Sequence, residues 1–390
     1  MMRSFSQALL VIVVPLYVAA AGHSGLRVGY LLSVTLAGST LMTVLAGVLS
    51  DRFGRKPLLI AIAVLAALGS AGFALTTRFG LLCVMAALAS VRGGGAGSGG
   101  GFGPFYPAEQ ALIASSSPDR YRNTVFSALS VVGVLAGAVG SAAAFLPGLL
   151  RTRYHLPPLE AFRPILWLAS ATSLGVILFI LPLREPHRPR AGRPGGARPR
   201  LTTRTLIARL WVTNAINGLV IGVIGPFLTY WFAARYGQGS TEIAALYLAA
   251  NLLTALSYLA APPLARRLGT VPAIVLSRSG SVLFMALMAV APTFVLAGLA
   301  YTLRIMVNSV SMPLRQSYVM GIADERSRSR VAALGGLPSQ AAAMPAPALA
   351  SHLMTGVSQA APVWMAAAAQ ALNAVLFDVF FRRVVPPDGR

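Results

Sequence analysis

The chain has 390 residues, 56% hydrophobic and only 11% charged, with a mean hydropathy of +0.71. A soluble protein carries roughly 25% charged residues, so lipid is the solvent for most of this chain and a water-soluble fold is excluded. The net charge of +22 would point to nucleic acid in a soluble domain; here the bases sit in short loops between apolar runs, where they orient spans in a bilayer, and no nucleic-acid partner is expected.

Span 1 is expected over about Phe5–Ala21, within the ~17–25 residues a bilayer needs. Arg3 and the run Ala19, Ala20, Ala21 also fit a signal peptide, but cleavage would leave the two halves described below unequal. Span 2, about Val28–Ser50, and span 3, about Pro57–Thr77, flank a compact block from Gly47 to Pro57 that contains Asp51, Arg52, Phe53, Gly54, Arg55 and Lys56. Its glycines allow a tight bend, and Pro57 suits the first turn of the next helix. Arg52, Arg55 and Lys56 hold the block on the cytoplasmic side. Span 4 starts near Leu81 and ends before Asp119; its Cys83, the one cysteine, excludes an internal disulfide and reads as a packing residue. Span 5 is expected over Thr124–Leu146, an external loop over Gly148–Arg163, and span 6 over Ile165–Leu183.

From Arg184 to Arg204, prolines and glycines alternate with arginines, and nothing apolar can be buried. This stretch reads as a cytoplasmic linker, 184–204, between a first half, 1–183, and a second half, 205–390. The second half holds span 7 (Thr205–Phe232), span 8 (Ile243–Leu264), span 9 (Val271–Ala291), span 10 (Phe294–Gly321), span 11 (Val331–Met354) and span 12 (Pro362–Phe381). Pro226, Pro313, Pro338, Pro345 and Pro347 predict kinks in spans 7, 10 and 11. About 22 of the 32 bases fall on the side assigned to the cytoplasm, as the positive-inside rule requires. The worst fit is the 148–163 loop, with Arg151, Arg153 and Arg163.

A weaker copy of the Gly47–Pro57 block lies about 215 residues later, from Pro262 to Pro272, with Arg266, Arg267 and Gly269. Pro107-Ala108-Glu109-Gln110 aligns with Pro313-Leu314-Arg315-Gln316, and Arg92 with Arg304. The fold expected is all-α, with 12 transmembrane helices in two pseudo-symmetric six-helix bundles and a substrate site near mid-membrane at their interface.

On these residues the chain resembles the major facilitator superfamily. The stretch Gly47–Lys56 matches that family's signature between spans 2 and 3 nearly residue for residue. The resemblance implies that Asp51 braces a cytoplasmic gate against the near end of span 11. There free N–H groups and the helix dipole attract an anion, and Arg326, Arg328 and Arg330 add positive charge. In the second copy Arg266 replaces the acid. Arg92, in Val91-Arg92-Gly93-Gly94-Gly95, resembles the family's span-4 arginine, linked in proton-driven exporters to proton transfer; Gly95 stands where Gln is usual. Span 5 keeps the antiporter motif's spaced glycines, Gly133, Gly137 and Gly140, but has Ala138 in place of its Pro. The resemblance to multidrug and small-molecule efflux members implies the inner membrane of a bacterium, with both termini cytoplasmic.

Candidate chemistry concentrates at few points. Glu109 lies in an apolar stretch where ionisation is expensive; it reads as a proton carrier coupled to Arg92, or as one member of an intramembrane ion pair. The two lie ~25 Å apart along a continuous helix, so pairing requires the glycine run 93–103 to bend back. That run reads either as a broken helix or as two tracks of small residues for close packing. Arg304 and Asn308 share a helical face and, with Asn217 and Tyr17, are the candidate substrate contacts. Arg315 and Gln316 are candidate partners of Glu109, Asn214 and Asn251 could tie helices, Arg278 is expected to snorkel, and Trp211, Trp231 and Trp364 fit an aromatic belt. Asp378 and Arg382 read as an i,i+4 pair.

The function expected is a secondary transporter working by alternating access: proton-coupled export of small organic compounds, acting as a monomer with no cofactor and no metal. The alternatives are an uptake permease for an organic anion, suggested by Arg92 and Arg304, and a non-transporting receptor of the same fold. An intramembrane enzyme is not expected, because His23, His155, His187 and His352 are scattered and no paired acids stand together.

Overall fold

A run of some twenty apolar residues in lipid has no water to bond its backbone, so it must close its own hydrogen bonds as a helix. The computed structural model describes residues 1–53, 55–89, 122–182, 203–322, 336–382 and 384. Its first half holds α1 (Met2–Ala20), α2 (Gly25–Phe53), α3 (Arg55–Leu75), α4 (Phe79–Ala89), α5 (Arg122–Ala143), α6 (Leu146–Tyr154) and α7 (Pro158–Ile180). Its second half holds α8 (Thr203–Gly222), a π turn (Val223–Phe227), α9 (Leu228–Tyr236), α10 (Ser240–Leu268), α11 (Thr270–Val290), α12 (Phe294–Ile322), α13 (Leu337–Ala343), α14 (Ala346–Gly356) and α15 (Ala361–Phe381). With α5–α6, α8–α9 and α13–α14 each taken as one broken span, these are the twelve spans expected. Among the described residues, 9 stretches are long and apolar enough to cross a membrane.

Packing repeats with an offset of six spans. In the first half α1 packs on α5, α2 on α4 and α3 on α7; in the second α8 packs on α13, α10 on α12 and α11 on α15. The contacts between halves obey the same rule, with α2 against α14 and α5 against α10. Consecutive spans alternate in direction, which defines two faces. One carries Lys56 and Gly269; the other carries His23, Gly237 and Ser358. Gly269, the turn of the second motif copy, has φ +86°, a backbone that only glycine adopts cheaply.

Three expected spans differ in detail, each for a local reason. Span 5 ends at Ala143, and Pro147 then opens α6, so most of the expected external loop 148–163 is helix, with Arg151 and Arg153 in the last turn of α6. Pro147 fits because the first turn of a helix has no use for its missing N–H. Span 11 breaks at Met344 and Pro345, with Pro338 and Pro347 in the first turns of its two pieces; its expected start at Val331 lies outside the described residues. Span 7 continues through Pro226 by way of the π turn, which accommodates a residue that cannot donate to the preceding turn.

Two side chains lie elsewhere than expected. Arg278 does not snorkel: it is 3% exposed, hydrogen-bonds Asn373 Oδ1 and sits 5.0 Å over the Phe377 ring. Trp231 is no belt residue either. It is fully buried and donates its Nε1–H to the Gln359 carbonyl at 2.6 Å, whereas Trp211 and Trp364 are exposed.

Candidate functional site

The halves are joined on the His23 face by α2 and α14. Gly25, Gly29 and Ser33 recur every four residues and so share one face of α2. The backbone of α14 approaches that face closely: a Cβ on Gly29 would overlap Ser351 Cβ and stand 2.8 Å from the Pro347 carbonyl. Ser351 donates its hydroxyl to the Gly25 carbonyl at 2.7 Å. Ala348 N–H lies in the first turn of α14, where no carbonyl of the same helix can reach it; it donates to Ser33 Oγ at 3.0 Å. Tyr30 Oη and His352 Nε2 lie 2.7 Å apart with their rings edge to face. On the other side of the junction Asn251 of α10 donates to Ser141 Oγ of α5 at 3.2 Å.

Behind this seam the second half contains two buried arginines, Arg278 and Arg304, and a partly buried one, Arg315. From Glu242 to Asp324 the sequence has no acid between, so their own helices offer no counter-charge. Arg315 donates to Asn214 Oδ1 of α8, and Arg278 donates to Asn373, whose amide in turn donates to the Thr213 carbonyl. Each is held by a neutral acceptor from another helix. Arg304 differs. It is 6% exposed, its Nε is sealed from solvent, and it forms no hydrogen bond or ion pair with any described residue. It stands beside Tyr247 and Tyr301. Their rings stack at 5.6 Å, the Tyr247 hydroxyl lies 3.1 Å from Thr229 Oγ1, and Phe232 meets Tyr301 edge to face at 6.0 Å. On the helices around α12, Thr254 Oγ1, Ser281 Oγ and Gln370 Oε1 are likewise buried without a hydrogen-bond partner.

The other residues singled out from sequence are distributed as follows. Gly47, Asp51 and Arg52 lie in the last turns of α2, and Arg55 and Lys56 begin α3. Lys56 Nζ donates to the Leu181 carbonyl, beyond the end of α7, at 2.5 Å. Gly54, Arg92, Glu109, the glycine run 93–103 and Arg326–Arg330 lie outside the described residues. Tyr17 is fully buried in the first half, between the edges of Phe73 and Phe162, and donates its hydroxyl to the Thr76 carbonyl at 3.0 Å. Asn308 accepts a bond from Gln370 Nε2 of α15 at 3.3 Å. Asn217 is half-buried and makes no hydrogen bond among the described residues. Asp378 and Arg382 stand 3.7 Å apart, as their spacing requires. Tyr17 thus lies on a helix of the first half, and Arg304 and Asn308 on one of the second. The Tyr247–Tyr301 pair was not singled out; nothing in a single sequence tells which aromatic residues of spans 8 and 10 face each other.

The profile described as Major Facilitator Superfamily matches residues 1–213. An uncharacterized membrane protein of Saccharomyces cerevisiae is 22% identical over 364 residues, covering 85% of this chain and 80% of its own. The multidrug resistance protein MdtG of Enterobacter lignolyticus is 30% identical over 227 residues, 56% of this chain and 50% of its own; the match spans about half the length of that relative. Among solved structures, a D-xylose–proton symporter superposes over 100% of this chain and 96% of its own with a TM-score of 0.75 at 13% identity. The human organic anion transporter MFSD10 superposes over 96% and 97% with a TM-score of 0.62 at 17% identity.

Proposed function

The chain belongs to the major facilitator superfamily, and from that premise we propose that it carries a small organic solute across the membrane by alternating access, exporting it in exchange for protons. The observation that carries the reading is the pairing rule at the junction: α2 meets α14 and α5 meets α10, two contacts that the six-span offset exchanges, since α10 is the counterpart of α2 and α13–α14 that of α5. Hydroxyls, one amide and one imidazole make these contacts, and each can exchange its partner for water as a seam parts. Rocking about a pseudo-two-fold axis therefore opens one face while the other closes.

Arg52, Arg55, Lys56, Arg266 and Arg267 assign the Lys56 face to the cytoplasm, so the zipped His23 face is external. The direction of transport rests on the partial identity with MdtG. Coupling rests on Glu109, an acid within an apolar stretch that carries a proton more cheaply than a charge, with Arg92 as its partner. Asp51 acts as the latch of the cytoplasmic gate, and Arg304, Asn308 and Asn217 are the groups available to solute; the Tyr17 hydroxyl is engaged within its own half. The test is flux in sealed vesicles under an imposed proton gradient. Proton-driven efflux that Glu109→Gln abolishes is the expected result; flux that is intact in that variant removes the coupling, and no flux across a broad panel leaves a receptor.

A further inference from the structure

We infer that the solute is an organic carboxylate with an aromatic or apolar body, and that Arg304 is the group that holds its carboxylate. The inference rests on the transport reading above and names its substrate class.

The argument is one of unbalanced charge. A guanidinium is protonated under all ordinary conditions, so Arg304 cannot relieve its burial by losing a proton. An uncompensated buried charge is strongly destabilising. Arg278 and Arg315 meet that cost with side-chain oxygens from neighbouring helices; Arg304, on the same α11–α12 layer, has none among the described residues. Its position is eleven residues into α12, or about 15 Å from the His23 face at 1.5 Å per residue. That is the midplane of a hydrocarbon core roughly 30 Å thick. A planar fork of N–H groups matches the two oxygens of a carboxylate, and the stacked Tyr247–Tyr301 pair with Phe232 offers an aromatic wall to the rest of the molecule. Cations are disfavoured here, because no acid stands between Glu242 and Asp324 to receive one.

The experiment follows the thermal unfolding of the purified full chain in non-ionic detergent. The probes are benzoate, naphthoate and decanoate, with benzamide and benzylamine as neutral and cationic controls. The carboxylates are expected to raise Tm by several degrees and the controls to leave it unchanged. Arg304→Gln is expected to abolish the response while unfolding at or above the wild-type temperature, since it removes a buried charge that has no acceptor among the described residues. Arg304→Lys, which keeps the charge but not the fork, is expected to retain a weakened response and guards against failure of the glutamine variant to fold. A carboxylate response that persists in Arg304→Gln, no response to any of the three probes, or an equal response to benzamide overturns the inference. So does an equal rise with inorganic phosphate or chloride, which makes the site one for small inorganic anions. Phosphatidylglycerol added to the micelles distinguishes a lipid headgroup: a rise it reproduces and benzoate does not also overturns it. Labelled benzoate in proteoliposomes separates the two claims. Arg304-dependent stabilisation without flux keeps the anion site and removes the transport reading. Flux of cationic dyes that is indifferent to Arg304 and to benzoate keeps transport and removes the anion.

Discussion

The two halves share a packing plan but tie their helices with different polar side chains. In the described part of the first half the buried polar side chains are hydroxyls, and half of them bond a carbonyl four residues back on the same helix, as Thr35 to Leu31, Thr40 to Leu36, Thr43 to Ser39 and Ser70 to Ala66. Such a bond needs no neighbouring helix. In the second half buried hydroxyls such as Thr213, Ser277 and Thr302 do the same, but guanidinium and amide groups also reach between helices, from Arg315 to Asn214, from Arg278 to Asn373 and from Gln370 to Asn308. Ties between helices in the described first half, Ser6 to Thr172 and Ser170 to Ala67, are made by hydroxyls, whereas the second half is also pinned by guanidinium and amide groups. A bundle pinned in this way is a stable wall for a binding site, and Arg304 stands within it.

The largest expected effect comes from pulling a pin. Asn373→Leu strands Arg278 as a buried charge without an acceptor and is expected to cost about 3 kcal/mol, the scale of a hydrogen bond to a charged group. Thr40→Val in the first half removes a bond of a helix to itself and is expected to cost under about 1 kcal/mol. Unfolding in detergent measures both. Adding Arg278→Met to Asn373→Leu should restore part of the loss, because an apolar pair replaces an unsatisfied one. Equal losses in the two halves would mean that the contrast between them is not energetic.

Next in size is the seam, which belongs to neither half alone. Gly29→Leu places a side chain where the α14 backbone now lies. The zipped state is then excluded sterically, and a shift of at least about tenfold toward the state open on the His23 face is expected, about 1.4 kcal/mol or more. Distances between spin labels on α2 and α14 report it. Thermal stability should fall less than in Asn373→Leu, because the half-bundles themselves are untouched. On the opposite face Asp51→Asn removes the charge proposed to latch the cytoplasmic gate. A severalfold change in the same open-state balance is expected, read by the same labels, with substrate preference unchanged. A changed solute profile at constant balance would place Asp51 in the binding site instead.

How much of this was legible follows from what each signal depends on. Helix existence depends on apolar length, a local property, so all twelve spans were readable, and the Gly269 turn followed from its likeness to the Gly47–Pro57 block. The short helix α6 was missed because Pro147, Arg151 and Arg153 read as a loop; a proline in the first turn and bases in the last turn are also what a helix end prefers. Arg278 was misplaced because distance from a span end says nothing of helix face, and its face points at Asn373, 95 residues away in sequence. The family signature points to the gate proposed at Asp51 but not to the seam of Gly29, Ser33 and Ser351, whose small residues are unremarkable one by one and become a contact only when two helices meet. Arg304 was legible as a candidate; that its Nε finds no acceptor among the described residues was not, since that depends on every helix around it.

The smallest effect expected is at Tyr30 and His352, where the seam reaches solvent. Their bond is exposed, so water replaces it readily and its net worth is only about 1 kcal/mol, a roughly fivefold bias toward the zipped state. Tyr30→Phe removes the hydroxyl while keeping the ring against the imidazole, and the labels on α2 and α14 should show that loss. His352→Phe is expected to shift the balance by the same amount, and the double variant by no more than either alone, because both remove one bond. A tyrosine hydroxyl donates to a neutral imidazole nitrogen and accepts from a protonated one. If the two substitutions add, the residues act on the seam separately, and its closure at this end is a matter of backbone approach at Gly29 rather than of a side-chain latch.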